Sequence, residues 1–239
     1  MIDLHYLDRD LLVSVKPKGI LSEGEGADCF PTLLADELRA RGEKDSVFPV
    51  HRLDRETEGL MVYARTEKSA AALSRAIAER SMKKEYLAVV CGAPETPTGS
   101  LRDLLFYDRQ RGKSFVVDRQ RKGVKDALLD YELLSSQNGY SLLRIRLYTG
   151  RTHQIRVQFG SRGLPLCGDR RYGAPSSDFS LGLCSVLLSF PHPSSKKTLS
   201  FSYLPRTDAA GARTSPFLMF AEELGIQNAN SMLENLLTT

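Results

Sequence analysis

The apolar residues of this chain come in short runs, and none of the runs is long. Residues 10–19 read DLLVSVKPKG, 59–65 GLMVYAR, 83–92 KKEYLAVVCG and 182–190 GLCSVLLSF. Each is of strand length and bounded by Gly, Pro or charge, which is the mark of strands rather than helices. No run approaches the roughly 18 apolar residues of a membrane span. A chain patterned this way must bury its apolar surface by pairing strands. Its 239 residues and 41% hydrophobic content allow one sizeable core, or one body with a small lobe.

The connections refine the fold class. Residues 127–136 (ALLDYELLSS) and 140–150 (YSLLRIRLYTG) flank Gln137-Asn138-Gly139, and Asn-Gly is a hairpin signal. Residues 182–190 and 198–204 form a second antiparallel pair around His192-Pro193. Helices punctuate this pattern. In residues 31–42, Pro31 sits in the first turn, Leu34 and Leu38 share a face, and Gly42 suits the C-terminus. Thr66 can cap a second helix whose stripe is Ala70, Leu73 and Ile77. A last helix is expected over 216–224. The fold class is α+β: a mixed, largely antiparallel central sheet flanked by helices. The chain reads as one domain over 1–239 with its core at about 8–204. A basic excursion is expected at about 94–125, as a mobile flap, and a helical tail at about 207–239.

Net charge is only +4, so its distribution matters more than its size. Between Arg102 and Lys125 stand eight Lys or Arg against three Asp, and between Arg144 and Arg171 seven Arg against the single Asp169. Such clusters suit phosphates, although a solvated basic face has the same composition. The four cysteines form no CxxC pair, which argues against a disulfide framework or a zinc site and for reduced thiols in the cytoplasm. The acidic N-terminus is unlike a signal peptide. No Walker A, G-x-G-x-x-G or G-x-S-x-G string occurs, and the four histidines are too scattered for a metal motif. No nucleotide cofactor, metal or other cofactor is expected.

Chemistry concentrates in three places: His51-Arg52-Leu53-Asp54, Lys83-Lys84-Glu85-Tyr86, and the turn from Gly150 to Arg156, where Thr152 is a fair N-cap. Asp54 stands in a dense polar cluster next to apolar strands. A partly buried carboxylate needs a cation, and Arg52, Arg55 and Arg156 are candidates. The same residues would equally make a structural bridge that ties the loop down. The protein-kinase catalytic loop is excluded by the extra Leu53 and by the lack of a Gly-rich loop or Asp-Phe-Gly. Glu56 and Glu58 could join Asp54 as glycosidase-type carboxylates only if 54–58 were extended. Tyr86 is either a core tyrosine or, beside two lysines, a ring offered to a flat base.

Taken in order, HRLDRETEG (51–59), KKEYLAVVCG (83–92) and GRTHQIRVQF (150–159) resemble the motifs of the RluA-like pseudouridine synthases. CGDRRYG (167–173) and FPHP (190–193) agree as well, and the resemblance covers about residues 8–204. Two positions depart from the family pattern: Glu58 stands where Ser is usual, and Cys184 where His is common. The chain starts at the catalytic body, so a form without the N-terminal S4-type RNA-binding domain is expected.

The resemblance implies the pseudouridine synthase catalytic fold and a cofactor-free isomerisation of uridine within a ribosomal or transfer RNA. By the same resemblance, Asp54 is the catalytic carboxylate. It either attacks C1′ of the sugar or removes a proton from C2′ to give a glycal. Arg156 pairs with Asp54 and aims it. Tyr86 lies against the uracil, Arg52 contacts the RNA backbone or fills the place of the flipped nucleotide, and Ile155 walls the pocket with Leu53. The protein is expected to be a cytoplasmic monomer with an RNA partner and no membrane. Two other readings stay open: a non-catalytic RNA-binding protein on this fold, and an N-glycosidase that passes the sugar to water.

Overall fold

The computed structural model describes residues 2–205 and 213–225. In chain order these form β1 (Leu4–Leu7), β2 (Leu11–Lys16), α1 (Phe30–Ala40), β3 (Phe48–Pro49), β4 (Glu58–Ala64), α2 (Glu67–Ala78) and β5 (Lys83–Cys91). There follow β6 (Thr98–Asp108), β7 (Lys113–Val117), β8 (Val124–Gln137), β9 (Tyr140–Leu147), α3 (Gln154–Gly160), β10 (Leu183–Pro191) and β11 (Thr198–Ser202). The chain divides into two compact units. The first is Met1–Lys84 with Ser185–Tyr203, and the second is Glu85–Cys184 with the described residues after Leu204.

In the first unit the strand order is β1-β2-β4-β10, with β3 beside β4 and β11 beside β10. β1 with β2, β2 with β4, β3 with β4 and β10 with β11 all pair antiparallel. β4 is buried along its whole length, which explains its nearly unbroken apolar sequence: both of its faces are covered. Leu60, Val62 and Ala64 pack in one core with Leu11, Val13, Leu73 of α2, Leu188 and Phe190. On the opposite face Tyr63 meets Phe30 of α1 edge-on at 6.0 Å. The expected stripe of α2 is the one that packs, with Ala70 and Ile77 flanking Leu73. Thr66 caps this helix by accepting the Ser69 N–H at 3.1 Å.

At Gly59, β4 passes close against Ser185. The glycine has a φ of +123°, and a Cβ there would lie 2.3 Å from the Ser185 carbonyl oxygen. Only glycine fits, on grounds of both conformation and space.

The second unit runs β5-β9-β8-β6-β7, again antiparallel at every pair. Asn138 and Gly139, at φ 51° and 77°, turn β8 into β9 as a two-residue loop with both residues left-handed, as the Asn-Gly signal demands. The segment 94–125 is not a loop. β6 pairs with β8 over Thr98–Phe106 and folds back on β7 through a turn capped by Asp108, whose carboxylate accepts the Gln110 and Arg111 N–H groups. Leu105 anchors this hairpin in a buried cluster with Ala127, Val157 and Tyr172. Charged residues on its exposed faces mask the alternation in the sequence.

The helix expected over 216–224 is a 3-10 turn, Pro216–Phe220, held by buried Pro216, Phe217 and Phe220. The rest of the expected tail, 207–212 and 226–239, lies outside the described residues. Among the described residues no helix is long and apolar enough to cross a membrane.

Candidate functional site

In the first unit the polar cluster of the sequence is a clamped loop between β3 and β4. Leu53 is pinned by Ser22, whose hydroxyl accepts the Leu53 N–H at 3.2 Å and donates to the Leu53 carbonyl at 2.8 Å. Arg55 donates through Nε to the Gly19 carbonyl at 2.8 Å, and its own carbonyl accepts the Gly19 N–H at 2.9 Å. Asp54 lies between these two fixed neighbours, half-buried, and its carbonyl accepts the Thr57 N–H at 3.0 Å. The segment therefore turns at 55–56 rather than running extended. Glu56 is exposed while Glu58 is buried in β4, so no row of aligned carboxylates forms.

Beneath the loop lies Lys16, fully buried at the end of β2. Its ammonium donates to three carbonyls: Pro17 at 2.7 Å, Ile20 at 2.8 Å and Arg55 at 3.1 Å. Burial pushes its pKa down to about 8, against the opposing pull of Glu56, Asp54 and Glu58. Lys16 thus ties the turn after β2 to the residue that follows Asp54. Sequence reasoning missed it; the available signal was a lone charge closing an apolar run just before Pro17.

His51 is structural. Its Nε2 accepts the Val62 N–H at 3.1 Å, and burial, reinforced by the Lys84 charge, pushes its pKa down to about 3. A neutral ring so placed is a poor proton shuttle at neutral pH. Arg52 is half-exposed and pairs with Glu23 at 3.0 Å, a surface contact worth at most about 1 kcal/mol.

The second unit holds Tyr86, Ile155 and Arg156. Tyr86 is buried on β5 opposite Ile145. Next to it Glu85 is buried and bridged by Arg144 at 2.8 Å and Arg146 at 3.3 Å. Ile155 and Arg156 lie on α3, both buried. The expected cap Thr152 does not cap this helix: His153 stands at the N-cap position with φ 55° and no side chain caps it. Gln154 braces the turn before the helix, its Oε1 accepting from the Arg151 N–H and the Thr149 hydroxyl. The Thr152 carbonyl is taken up by the Ser114 hydroxyl.

Arg156 makes a two-pronged bridge to Asp169, Nε to Oδ2 at 2.6 Å and Nη2 to Oδ1 at 2.9 Å, and its guanidinium lies 5.2 Å from the centre of the Tyr172 ring. Such forked pairing fixes the guanidinium plane. Tyr172 is itself held: its hydroxyl accepts the Ser114 N–H and bonds His153 Nδ1, both at 2.9 Å, and Lys113 covers the ring at 4.9 Å. Asp169 and Tyr172 are supporting residues whose roles the sequence reading did not assign. The signal for Asp169 was its isolation as the one acid among seven arginines.

Among the described residues one group brings together metal-ligating atoms: Asp8, Asp10 and His192, within 4.8 Å of one another. Its lone pairs are already engaged. His192 Nδ1 accepts two backbone N–H groups, so Nε2 carries the proton toward Asp8 at 2.7 Å, and Asp10 accepts from Ser194 and Ser69. The cluster pins the turn after β10 to the N-terminal strands and does not present a ligand set.

Comparison with known proteins agrees with this architecture. The family model described as RNA pseudouridylate synthase matches residues 10–161. An uncharacterized RNA pseudouridine synthase of Aquifex aeolicus is 34% identical over 218 residues, covering 84% of this chain and 68% of that protein. Ribosomal large subunit pseudouridine synthase D of Borreliella burgdorferi is 32% identical over 180 residues, covering 72% of this chain and 55% of that protein. In fold, the chain is similar to human RNA pseudouridylate synthase domain containing 4, with a TM-score of 0.73 at 23% identity over 93% of this chain and 91% of that one.

Proposed function

The chain belongs to the RNA pseudouridylate synthase family, and we propose that it isomerises specific uridines of a structured ribosomal or transfer RNA to pseudouridine, with Asp54 as the single catalytic carboxylate. In that reaction the N1–C1′ bond breaks and a C5–C1′ bond forms. C5 gives up its proton and N1 gains one. Nothing is oxidised and no atom is lost, so the chemistry requires neither redox cofactor nor activated donor. A retaining glycosidase needs a second carboxylate to handle leaving group and water. Here the released base is the next nucleophile, and one carboxylate suffices.

The observation that carries this reading is the clamp on the Asp54 loop. Ser22, Gly19 and Lys16 hold the residues on either side of Asp54 by their backbone carbonyls. A carboxylate fixed in this way loses little freedom on meeting a substrate, which is how positioning lowers a barrier. The remaining roles follow the family resemblance: Tyr86 against the uracil and near its C5 proton, Arg156 as the cation partnering the catalytic acid, Ile155 and Leu53 as apolar wall, and Arg52 on the RNA backbone. Extruding the uridine costs a few kcal/mol, which phosphate contacts and stacking offset.

Asp54→Asn tests the proposal. It should abolish pseudouridine formation while leaving RNA affinity near that of the wild type. Site-resolved mapping of pseudouridine in total RNA, from cells with and without the gene and then with the variant, identifies the target position. Turnover by the variant within about tenfold of wild type, about 1.4 kcal/mol in barrier, would refute the role of Asp54. Free uracil among the products would mark an N-glycosidase instead.

A further inference from the structure

The second unit contains a cavity of about 700 Å³, between the β6–β7 hairpin and the turn that precedes α3. Its size falls in the roughly 300–1,000 Å³ range of small-molecule sites. The resemblance assigns a role to none of its lining residues. Arg109, Lys125 and Arg151 bring three cations to it, against one acid, Asp108. That acid is engaged: its carboxylate accepts the Gln110 and Arg111 N–H groups and lies 3.6 Å from the Arg111 guanidinium. Arg151 is held in place by its Nε bond to the Asp126 carbonyl at 2.8 Å.

The aromatic lining is equally specific. Tyr107 is 39% exposed although it is a large ring. It stands edge-on to His153, at 6.3 Å and 87°, so its ring is steadied from one side. Phe106 lines the same cavity and carries the Arg121 guanidinium 5.0 Å from its ring centre. Interleaved rings and cations around a cavity with no uncommitted acid match a nucleotide: a base for the ring, a phosphate for the cations.

We propose that this cavity is a second nucleotide subsite, which takes an unpaired nucleotide of the RNA substrate other than the uridine that reacts, with its base on Tyr107 and its phosphate between Arg109, Lys125 and Arg151. The proposal rests on the reading of the protein as an RNA-modifying enzyme, but it concerns binding and is measured without turnover. Such a subsite selects RNA whose strand is open beside the target, and so contributes to the choice of position.

The test uses the full chain and a fluorescein-labelled single-stranded oligouridine, followed by anisotropy at several KCl concentrations. Tyr107→Ala should weaken binding about fivefold or more, as loss of a base–ring stack does, and Tyr107→Phe should stay within about twofold of wild type. Arg109→Gln and Lys125→Gln should each flatten the slope of log affinity against log salt by about 0.7. Thermal melting checks that every variant is folded. A folded Tyr107→Ala that binds as wild type overturns the subsite, as do unchanged salt slopes or the absence of saturable binding. Poly-glutamate that competes as well as unlabelled oligouridine would reduce the site to charge alone and overturn it too. The catalytic reading is judged separately, since Asp54→Asn should lose turnover and keep its oligouridine affinity.

Discussion

The loop that carries Asp54 and the turn that carries Arg156 are both fixed, but by different means. The first is held by main-chain atoms: the carbonyls of Pro17, Ile20 and Arg55 converge on the ammonium of Lys16. The second is held by side chains, with Asp169 gripping the Arg156 guanidinium and Tyr172 lying against it. A clamp on main-chain carbonyls fixes the path of the loop without calling on the side chain at position 54. A side-chain clamp fixes one functional group and depends on the identity of its partner. The two units should therefore respond differently to mutation.

Asp169→Asn is the strongest way to break the comparison. It leaves a buried guanidinium facing a neutral amide, and breaking a buried pair on one side costs about 3–5 kcal/mol. Urea unfolding should show that loss, and the double variant Arg156→Met with Asp169→Leu should recover much of it, because an apolar pair of similar volume carries no stranded charge. If the single variant is as stable as wild type, the forked bridge does not hold the turn.

Lys16 should give a pH signature of its own. Its folded pKa of about 8 lies below the ordinary lysine value of 10.5. Between those values the unfolded chain binds the proton and the folded chain does not, so stability should rise with pH across that window, by about 3 kcal/mol in all. Above pH 8 the neutral amine keeps two protons for three carbonyls, so the loop should slacken even as global stability rises. Unfolding free energies at the two ends of the window, compared with Lys16→Met, isolate this contribution. An equal pH dependence in the variant would remove Lys16 as its source.

Arg52→Ala should have the smallest effect on the fold. Its bridge to Glu23 is half-exposed on both sides, so unfolding should change by less than about 0.5 kcal/mol. Affinity for RNA should fall and become less dependent on salt. A large loss of stability would make Arg52 part of the clamp rather than a surface contact.

What the sequence revealed divides along similar lines. β4, the Thr66 cap, the α2 stripe and the Asn138-Gly139 turn were legible because each is specified within about a dozen residues. The apolar run, the hydroxyl before a helix and the paired left-handed residues carry their own signals. The Lys16 clamp was not legible. Its acceptors are carbonyls, which have no side-chain signature, and Arg55 lies 39 residues away. The cap of α3 was misread because Thr152 looked the better capping residue, while His153 takes the N-cap position with a left-handed φ and no side chain caps the helix. The β6–β7 hairpin was hidden because its many cations suggested a mobile basic flap; Arg111 and Lys113 lie over its own Phe115 ring.

The bareness of position 59 has a consequence for how this chain can change over generations. A methyl group there would collide with the main chain of Ser185 rather than with a side chain that could swing aside. Relief would require one whole strand to shift away from another, five residues from Asp54, the proposed catalytic acid. In a saturation library this codon should behave as a switch with two settings, glycine or loss, while the exposed neighbour Glu56 tolerates change.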